Sequence, residues 1–231
     1  MIEAVKLTKS YDKREALVDL DLEIKEGEVF CLLGQNGAGK TTTINLFLGL
    51  LAPTSGHAFI NGLDVNKNRT AINKTIAYIP ELVQLYGNLT GVENLIFFSK
   101  LAGYRLQSNE LRELLNKVGL AEEDHDKRLS HYSKGMRQKV GIAIALSKRA
   151  KVIFMDEPTS GLDPKATNEF TLVCKELAKE GKSIFMATHD IFNAVNVGSQ
   201  IGIMKEGKLI HTSDTTHIDA AAMQKMYLKT I

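Results

Sequence analysis

Apolar and polar positions near the N-terminus follow the spacing of β-strands. In ALVDLDLEI, Leu20, Leu22 and Ile24 share one side, and three acidic residues occupy the other. The segments IEAVKL and EVFCLL are also apolar or alternating, and HAFINGLDV and TIAYIP resemble them further along. Alternation with period two, or a short apolar run bounded by turn residues, is typical of strands. We therefore predict several strands before residue 88.

The pattern becomes helical between about residues 88 and 150. GVENLIFFSKLAGY and SNELRELLNKVGL are amphipathic, and each ends near a glycine, as helices often do. The apolar run at residues 140–146 predicts a buried helix. We expect the aromatic residues Phe97, Phe98 and Tyr104 to lie mainly in the core of this helical block.

Strand and helix patterns alternate again after residue 150. KVIFMDEP, KATNEFTLVCKELAKEG, KSIFMATHD and SQIGIMKEGKLIHTSD follow one another, and DAAAMQKMYLKTI predicts a closing helix. This order is typical of an α/β fold with a largely parallel sheet covered on both faces. We predict a core of residues 1–87 and 151–231, with residues 88–150 as an inserted helical subdomain.

Composition and charge narrow the functional classes. The chain has 231 residues, of which 44% are hydrophobic, so it can bury a core. Its net charge is +2 with dispersed basic residues, which argues against a nucleic-acid binder. Cys31 and Cys174 lie in apolar segments without metal-site spacing, which predicts buried free thiols in a reducing compartment. The sequence shows no signal-peptide core and no apolar stretch long enough to span a membrane.

A glycine-rich loop is the clearest chemical motif. GQNGAGKT matches the phosphate-binding pattern G-x-x-x-x-G-K-[ST] and connects an apolar strand to a helix. Glycines let backbone N–H groups converge on phosphate oxygens at the positive end of the helix. A chance glycine-rich turn is the alternative. We predict that the phosphates are bound by Gly34, Asn36, Gly37, Ala38, Gly39, Lys40, Thr41 and Thr42, with Thr41 also contacting Mg²⁺.

Polar side chains also follow two further strands. Asp156 and Glu157 end VIFMDEP, at the edge where open parallel sheets bind ligands. We expect Asp156 to hold Mg²⁺ and Glu157 to orient or deprotonate a water molecule, although an ordinary acidic pair would look the same. His189 ends SIFMATHD. It either contacts the γ-phosphate or positions the water and Glu157, or it is a structural histidine.

The order of these motifs resembles the nucleotide-binding domain of ABC (ATP-binding cassette) transporters over nearly the whole chain. The resemblance implies a P-loop NTPase fold, with a RecA-like core, a mixed sheet, an antiparallel β portion and a helical subdomain. It implies ATP and Mg²⁺ as ligands, and two domains that enclose two ATP molecules head to tail. It also implies that Tyr11 stacks on adenine, unless Tyr11 belongs to the core, and that Ser160–Asp163 contact the partner domain.

Two motifs depart from the family pattern. Where the family has Leu-Ser-Gly-Gly-Gln, this chain has YSKGM at residues 132–136, hereafter the signature segment. Ser133 and Gly135 are kept, and we expect both to bind the partner's nucleotide, whereas Lys134 either faces the partner's phosphates or faces solvent. The family's metal-contacting Gln corresponds to Glu81, which we favour as a metal ligand over Gln84.

The resemblance implies an ATPase subunit that powers transport, in the direction of export, through a separate permease. Its partners would be that permease, with a coupling helix in a groove near residues 81–104, and a second nucleotide-binding domain, at the inner, cytoplasmic face of the membrane. A non-transport ATP switch and a low-turnover regulatory module are the alternatives.

Overall fold

The computed structural model describes residues 1–12, 14–216 and 218–230. Its strands are β1 (Ile2–Tyr11), β2 (Arg14–Ile24), β3 (Val29–Leu33), β4 (Ser55–Ile60), β5 (Leu63–Asp64), β6 (Ile76–Ile79), β7 (Val152–Asp156), β8 (Ser183–Thr188), β9 (Gln200–Lys205) and β10 (Lys208–Asp214). Its α-helices are α1 (Lys40–Phe47), α2 (Arg69–Asn73), α3 (Gly91–Leu101), α4 (Ser108–Lys117), α5 (Lys134–Ser147), α6 (Pro164–Lys179), α7 (Ile191–Val197) and α8 (Ala220–Thr230). The short helix α2 was not predicted, because five residues are too few to show a helical period.

The strands form two sheets. The larger has the order β10-β9-β3-β8-β7-β6, in which β9, β3, β8, β7 and β6 run parallel and β10 is antiparallel to β9. The smaller is antiparallel with the order β2-β1-β4-β5. The prediction of a mixed sheet with an antiparallel β portion is confirmed. Both predicted ligand-binding strand ends, those of β7 and β8, lie at one edge of the larger sheet.

Burial explains why these sequences form central strands. Every residue of β3 and β8 is buried, so each reads as a continuous apolar run, whereas β2 alternates between buried and exposed positions. On one face of the sheet, Phe30, Phe47, Phe154 and Phe185 pack with ring centroids 5.7–5.9 Å apart. These aromatic contacts fix α1, and therefore the loop before it, against the sheet.

The helices α3, α4 and α5 lie between β6 and β7 in the chain. Their buried residues join the second face of the larger sheet in one hydrophobic cluster. Thr90 caps α3 and Glu93 completes the capping box, which explains where this helix begins. Because helices and sheet share one cluster, the division at residues 88 and 150 remains a prediction.

The structure also tests the predicted burial of particular side chains. Cys31 and Cys174 are fully buried free thiols, and burial raises the pKa of Cys31 to about 12. The expected burial of aromatic residues in the helical block is wrong for Phe97, which is 39% exposed and stacks edge-on with the exposed Tyr86. Among the described residues, no helix combines the length and the hydropathy needed to cross a membrane.

Candidate active site

The phosphate-binding loop connects β3 to α1 and is closely packed against the β9–β10 hairpin. A Cβ atom on Gly34 would lie 2.7 Å from the carbonyl oxygen of Met204. Gly39 has a φ of +113°, and a Cβ atom there would lie 2.5 Å from the carbonyl oxygen of Ala16. Only glycine fits these two positions, so the loop backbone remains free to face an anion.

Lys40 begins α1 with a buried side chain that points back into the loop. Its ammonium donates a hydrogen bond to the carbonyl oxygen of Gly34 at 2.6 Å and lies 3.3 Å from Oε1 of Glu157. The side chain is only 6% exposed. A buried ammonium held at this position presents a fixed positive charge to incoming phosphates.

Thr41 and Asp156 meet at the mouth of the loop, as expected for residues that share a cation. Thr41 Oγ1 donates to Asp156 Oδ2 at 2.9 Å. Burial raises the pKa of Asp156 above its ordinary value, while the bond from Thr41 opposes the rise. A hydroxyl and a carboxylate are hard oxygen ligands that suit Mg²⁺, which usually completes its shell with water and substrate phosphates. The described residues contain no group of three or more His, Cys, Asp or Glu side chains arranged for a metal.

Glu157 lies just beyond β7 in an uncommon backbone conformation, with a φ of +47°. Its backbone N–H donates to the carbonyl oxygen of Ala187, which fixes this turn to β8. Its Oε2 accepts from the backbone N–H of His189 at 3.2 Å and contacts the ring Nδ1 at 2.8 Å. Oε1 accepts no hydrogen bond from any described residue and faces Lys40. The carboxylate is therefore oriented by β8 and His189 at one oxygen, while the other oxygen is buried against the ammonium of Lys40.

These residues line one cleft of about 550 Å³, here called the nucleotide cleft. Tyr11 lies on its wall with 44% of its surface exposed, so the alternative that this ring belongs to the core is wrong. The nucleotide cleft is lined by Tyr11, Arg14, Ala16, Gln35, Asn36, Gly37, Gly39, Lys40, Thr41, Thr42, Glu81, Asp156 and Glu157. His189 reaches this site from the rim, through Glu157.

Sequence reasoning missed Arg14, Ala16 and Gln35. Arg14 extends over the loop, and its guanidinium donates to the carbonyl oxygen of Gly37 at 3.4 Å. The basic pair in YDKREAL, just after Tyr11, was a signal that an anion lies nearby.

The structure places Glu81 and Gln84, the two candidates for the metal-contacting position, in different cavities. Glu81 lines the nucleotide cleft, whereas Gln84 lines a different, apolar groove with Ile79 and Phe98. Glu81 Oε1 also lies 3.7 Å from the ammonium of Lys134. Lys134 therefore lies near a carboxylate of its own chain, a surrounding that was not predicted, and its contact with a partner's phosphates remains a prediction.

The signature segment lies outside the nucleotide cleft of its own chain. Ser133 caps α5, and its hydroxyl accepts a hydrogen bond from the backbone N–H of Met136 at 3.2 Å. A Cβ atom on Gly135 would lie 3.1 Å from Cβ of Ala166 on α6, which begins at the cap residue Asp163. The loop Ser160–Asp163 is thus beside the signature segment, and both are separate from the phosphate loop.

Comparisons with known proteins agree with this geometry. The family model described as ABC transporter matches residues 17–160. The bacitracin transport ATP-binding protein BcrA of Bacillus licheniformis is 38% identical over 219 residues, which cover 94% of this chain and 71% of BcrA. The linearmycin resistance ATP-binding protein LnrL of Bacillus subtilis is 33% identical over 94% of this chain and 70% of LnrL. In the much longer phospholipid-transporting ATPase ABCA3 of Rattus norvegicus, the 37% identical match spans 11% of the relative.

The fold is also similar to that of a solved ABC cassette. The ATP-binding cassette MJ0796, in a dimeric post-hydrolysis state bound to ADP and Pi, has a TM-score of 0.81 and 30% identity, covering 94% of this chain and all of that one. The fold is therefore that of a P-loop NTPase, and ATP hydrolysis is the activity of such cassettes. This chain belongs to the ABC transporter family, as one of its ATP-hydrolysing nucleotide-binding cassettes.

Proposed function

We propose that this chain is the ATPase subunit of an exporter whose permease is a separate membrane protein. The nucleotide cleft carries the proposal, because it joins a phosphate loop, a metal-binding pair and an oriented carboxylate at one strand edge. Export is supported by BcrA, named for bacitracin transport, and by LnrL, named for linearmycin resistance. We place the chain at the inner face of the membrane.

In the proposed mechanism, loop N–H groups and Lys40 bind the triphosphate, and Tyr11 stacks on the base. Glu157 orients a water molecule through its carboxylate. The water oxygen forms a bond to the γ-phosphorus as the bond to the bridging oxygen of ADP breaks, and Glu157 accepts the proton. Thr41, Asp156 and Glu81 would hold Mg²⁺, which, when bound, offsets negative charge on the phosphates.

The signature segment extends the proposal to a dimer. Its capped helix N-terminus is an anion-binding feature, yet it lies apart from the chain's own phosphate loop. We propose that Ser133 and Gly135 bind the nucleotide of a second cassette, and that Ser160–Asp163 contact the same partner. The dimeric MJ0796 structures support this arrangement.

An apolar groove between β6 and α5 is the proposed docking site for the permease. The groove has a volume of about 260 Å³ and is lined by Ile79, Val83, Phe98 and Ile144, with Tyr86 and Phe97 exposed beside it. A contiguous exposed apolar patch of this kind favours docking of a partner helix. We propose that a cytoplasmic helix of the permease docks there.

Co-purification and ATPase measurements test the proposal together. The chain should hydrolyse ATP, co-purify with a membrane protein encoded beside it, and lose that partner when Phe98 is changed to Asp. The substitution Leu172→Asp on the exposed face of α6 is the matched control and should retain the partner. Steady hydrolysis with no membrane partner would favour a non-transport switch, and negligible turnover would favour a regulatory module.

A further inference from the structure

One ion pair joins the signature segment to the nucleotide cleft of the same chain. The ammonium of Lys134 lies 3.7 Å from Oε1 of Glu81, although α3 and α4 lie between the two residues in the chain. Gln138, one turn further along α5, donates to the backbone carbonyl oxygens of Glu81 at 2.9 Å and Pro80 at 3.3 Å. Both the backbone and the side chain of Glu81 are therefore held by α5.

The charges around the cleft show why this contact matters. The cleft walls carry the cations Arg14 and Lys40 but three carboxylates, those of Glu81, Asp156 and Glu157. A nucleoside triphosphate is itself a polyanion. Burial is the main cause of the raised pKa of Asp156, and the charges of Glu157 and, to a smaller extent, Glu81 act in the same direction.

Lys134 is placed to neutralise part of this excess negative charge on the cleft walls. Its side chain is 29% exposed, so its pairing with Glu81 is less screened by water than a fully exposed pair. We propose that Lys134 is a positioning residue for nucleoside triphosphate binding, which acts by neutralising and holding Glu81 at the wall of the cleft. This inference rests on the proposed function and deepens its account of the nucleotide site.

Nucleotide affinity in four variants tests the inference. The dissociation constant of ATP is measured calorimetrically without Mg²⁺, because Glu81 would itself hold that cation, for the unchanged chain, Lys134→Ala, Glu81→Gln and the double variant. At low salt, Lys134→Ala should weaken binding about threefold, because it leaves Glu81 unneutralised. In the Glu81→Gln background, Lys134→Ala should cause no further loss. Added salt should shrink the difference, which loss of packing would not do.

Three further variants separate this inference from a structural role of Lys134. Lys179→Ala removes a lysine from another exposed ion pair, on α6, and should leave the affinity unchanged. Exchanging the charges, with Lys134→Glu and Glu81→Lys together, should bind ATP more tightly than Lys134→Glu alone. Thermal unfolding checks that each variant is folded.

Two results would overturn the inference. One is an equal loss of affinity from Lys134→Ala in both backgrounds, which would mean that Lys134 contacts the nucleotide or a partner directly. The other is no loss in either background. Failure of the unchanged chain to bind ATP would instead contradict the proposed function, so the two failures are distinguishable.

Discussion

Nδ1 of His189 lies 2.8 Å from Oε2 of Glu157, and the backbone N–H of His189 donates to the same oxygen. The imidazole is 60% exposed, whereas the carboxylate side chain is only 14% exposed. The ring therefore reaches inward from the rim and fixes one carboxylate oxygen. The other oxygen is buried and lies 3.3 Å from the ammonium of Lys40.

This relationship predicts that His189 acts mainly on turnover. Replacing His189 with Ala should lower kcat by about 10- to 100-fold, because Glu157 loses its orienting contact. KM should change less than about twofold, since the ring does not line the nucleotide cleft. Steady-state kinetics check both values. A large rise in KM with unchanged kcat would mean that the ring contacts nucleotide instead.

Removing the charge of Glu157 should stop hydrolysis without preventing nucleotide binding. Glu157→Gln keeps the size of the side chain but cannot accept the proton, so kcat should fall at least about 100-fold. The trapped ATP state should then shift in mass from monomer to dimer, as measured by light scattering with ATP and Mg²⁺. A chain that remains monomeric under these conditions would be evidence against the proposed dimer.

The buried carboxylate of Asp156 should lower the stability of the folded chain, although hydrolysis needs it. Burial raises its pKa in the folded state, so the charged form costs stability above that pKa, and the cost disappears as the pH falls through it. Asp156→Asn should therefore raise Tm at neutral pH by about 2–4 °C, equivalent to about 1 kcal/mol, while hydrolysis is lost. Calorimetry at pH 7 and ATPase measurements check the pair. A lower Tm would mean that the carboxylate's bond from Thr41 outweighs burial.

Ser133 has two roles that one pair of variants separates. Ser133→Ala removes the cap of α5 and should cost about 1 kcal/mol of stability. Ser133→Asp keeps a capping oxygen but places a negative charge where the partner's phosphates would bind. The Asp variant should therefore keep a Tm near that of the unchanged chain and still lose hydrolysis. If it hydrolyses ATP normally, Ser133 acts only as a cap.

Much of the site was predictable because its motifs are local. Glycines with a fixed spacing before a helix, and carboxylates that end an apolar strand, carry their geometry within a few residues. The phosphate loop, Asp156 and Glu157 were predicted in this way, and the structure brings them into one cleft. The parallel sheet followed from the alternation of strand and helix patterns.

The features of the site that were not predicted depend on contacts between segments that are distant in the sequence. The partner of Lys134 lies on another element, so its own surroundings in the sequence left only solvent or phosphate to choose from. The exposure of Phe97 was missed because an apolar helix face reads the same whether it meets a core or awaits a partner. Arg14 was missed because a basic pair at a strand start is usually a solvated one.

The position of β3 between β8 and β9 has a consequence for synthesis of the protein. The phosphate-loop sequence is synthesised before both neighbours of its strand and before Met204, which packs on Gly34. At about 5–20 residues per second, residues 34–205 take roughly 10–30 s to synthesise. A nascent chain that has not yet reached β8 and β9 therefore carries the whole motif without the strands that hold it in place.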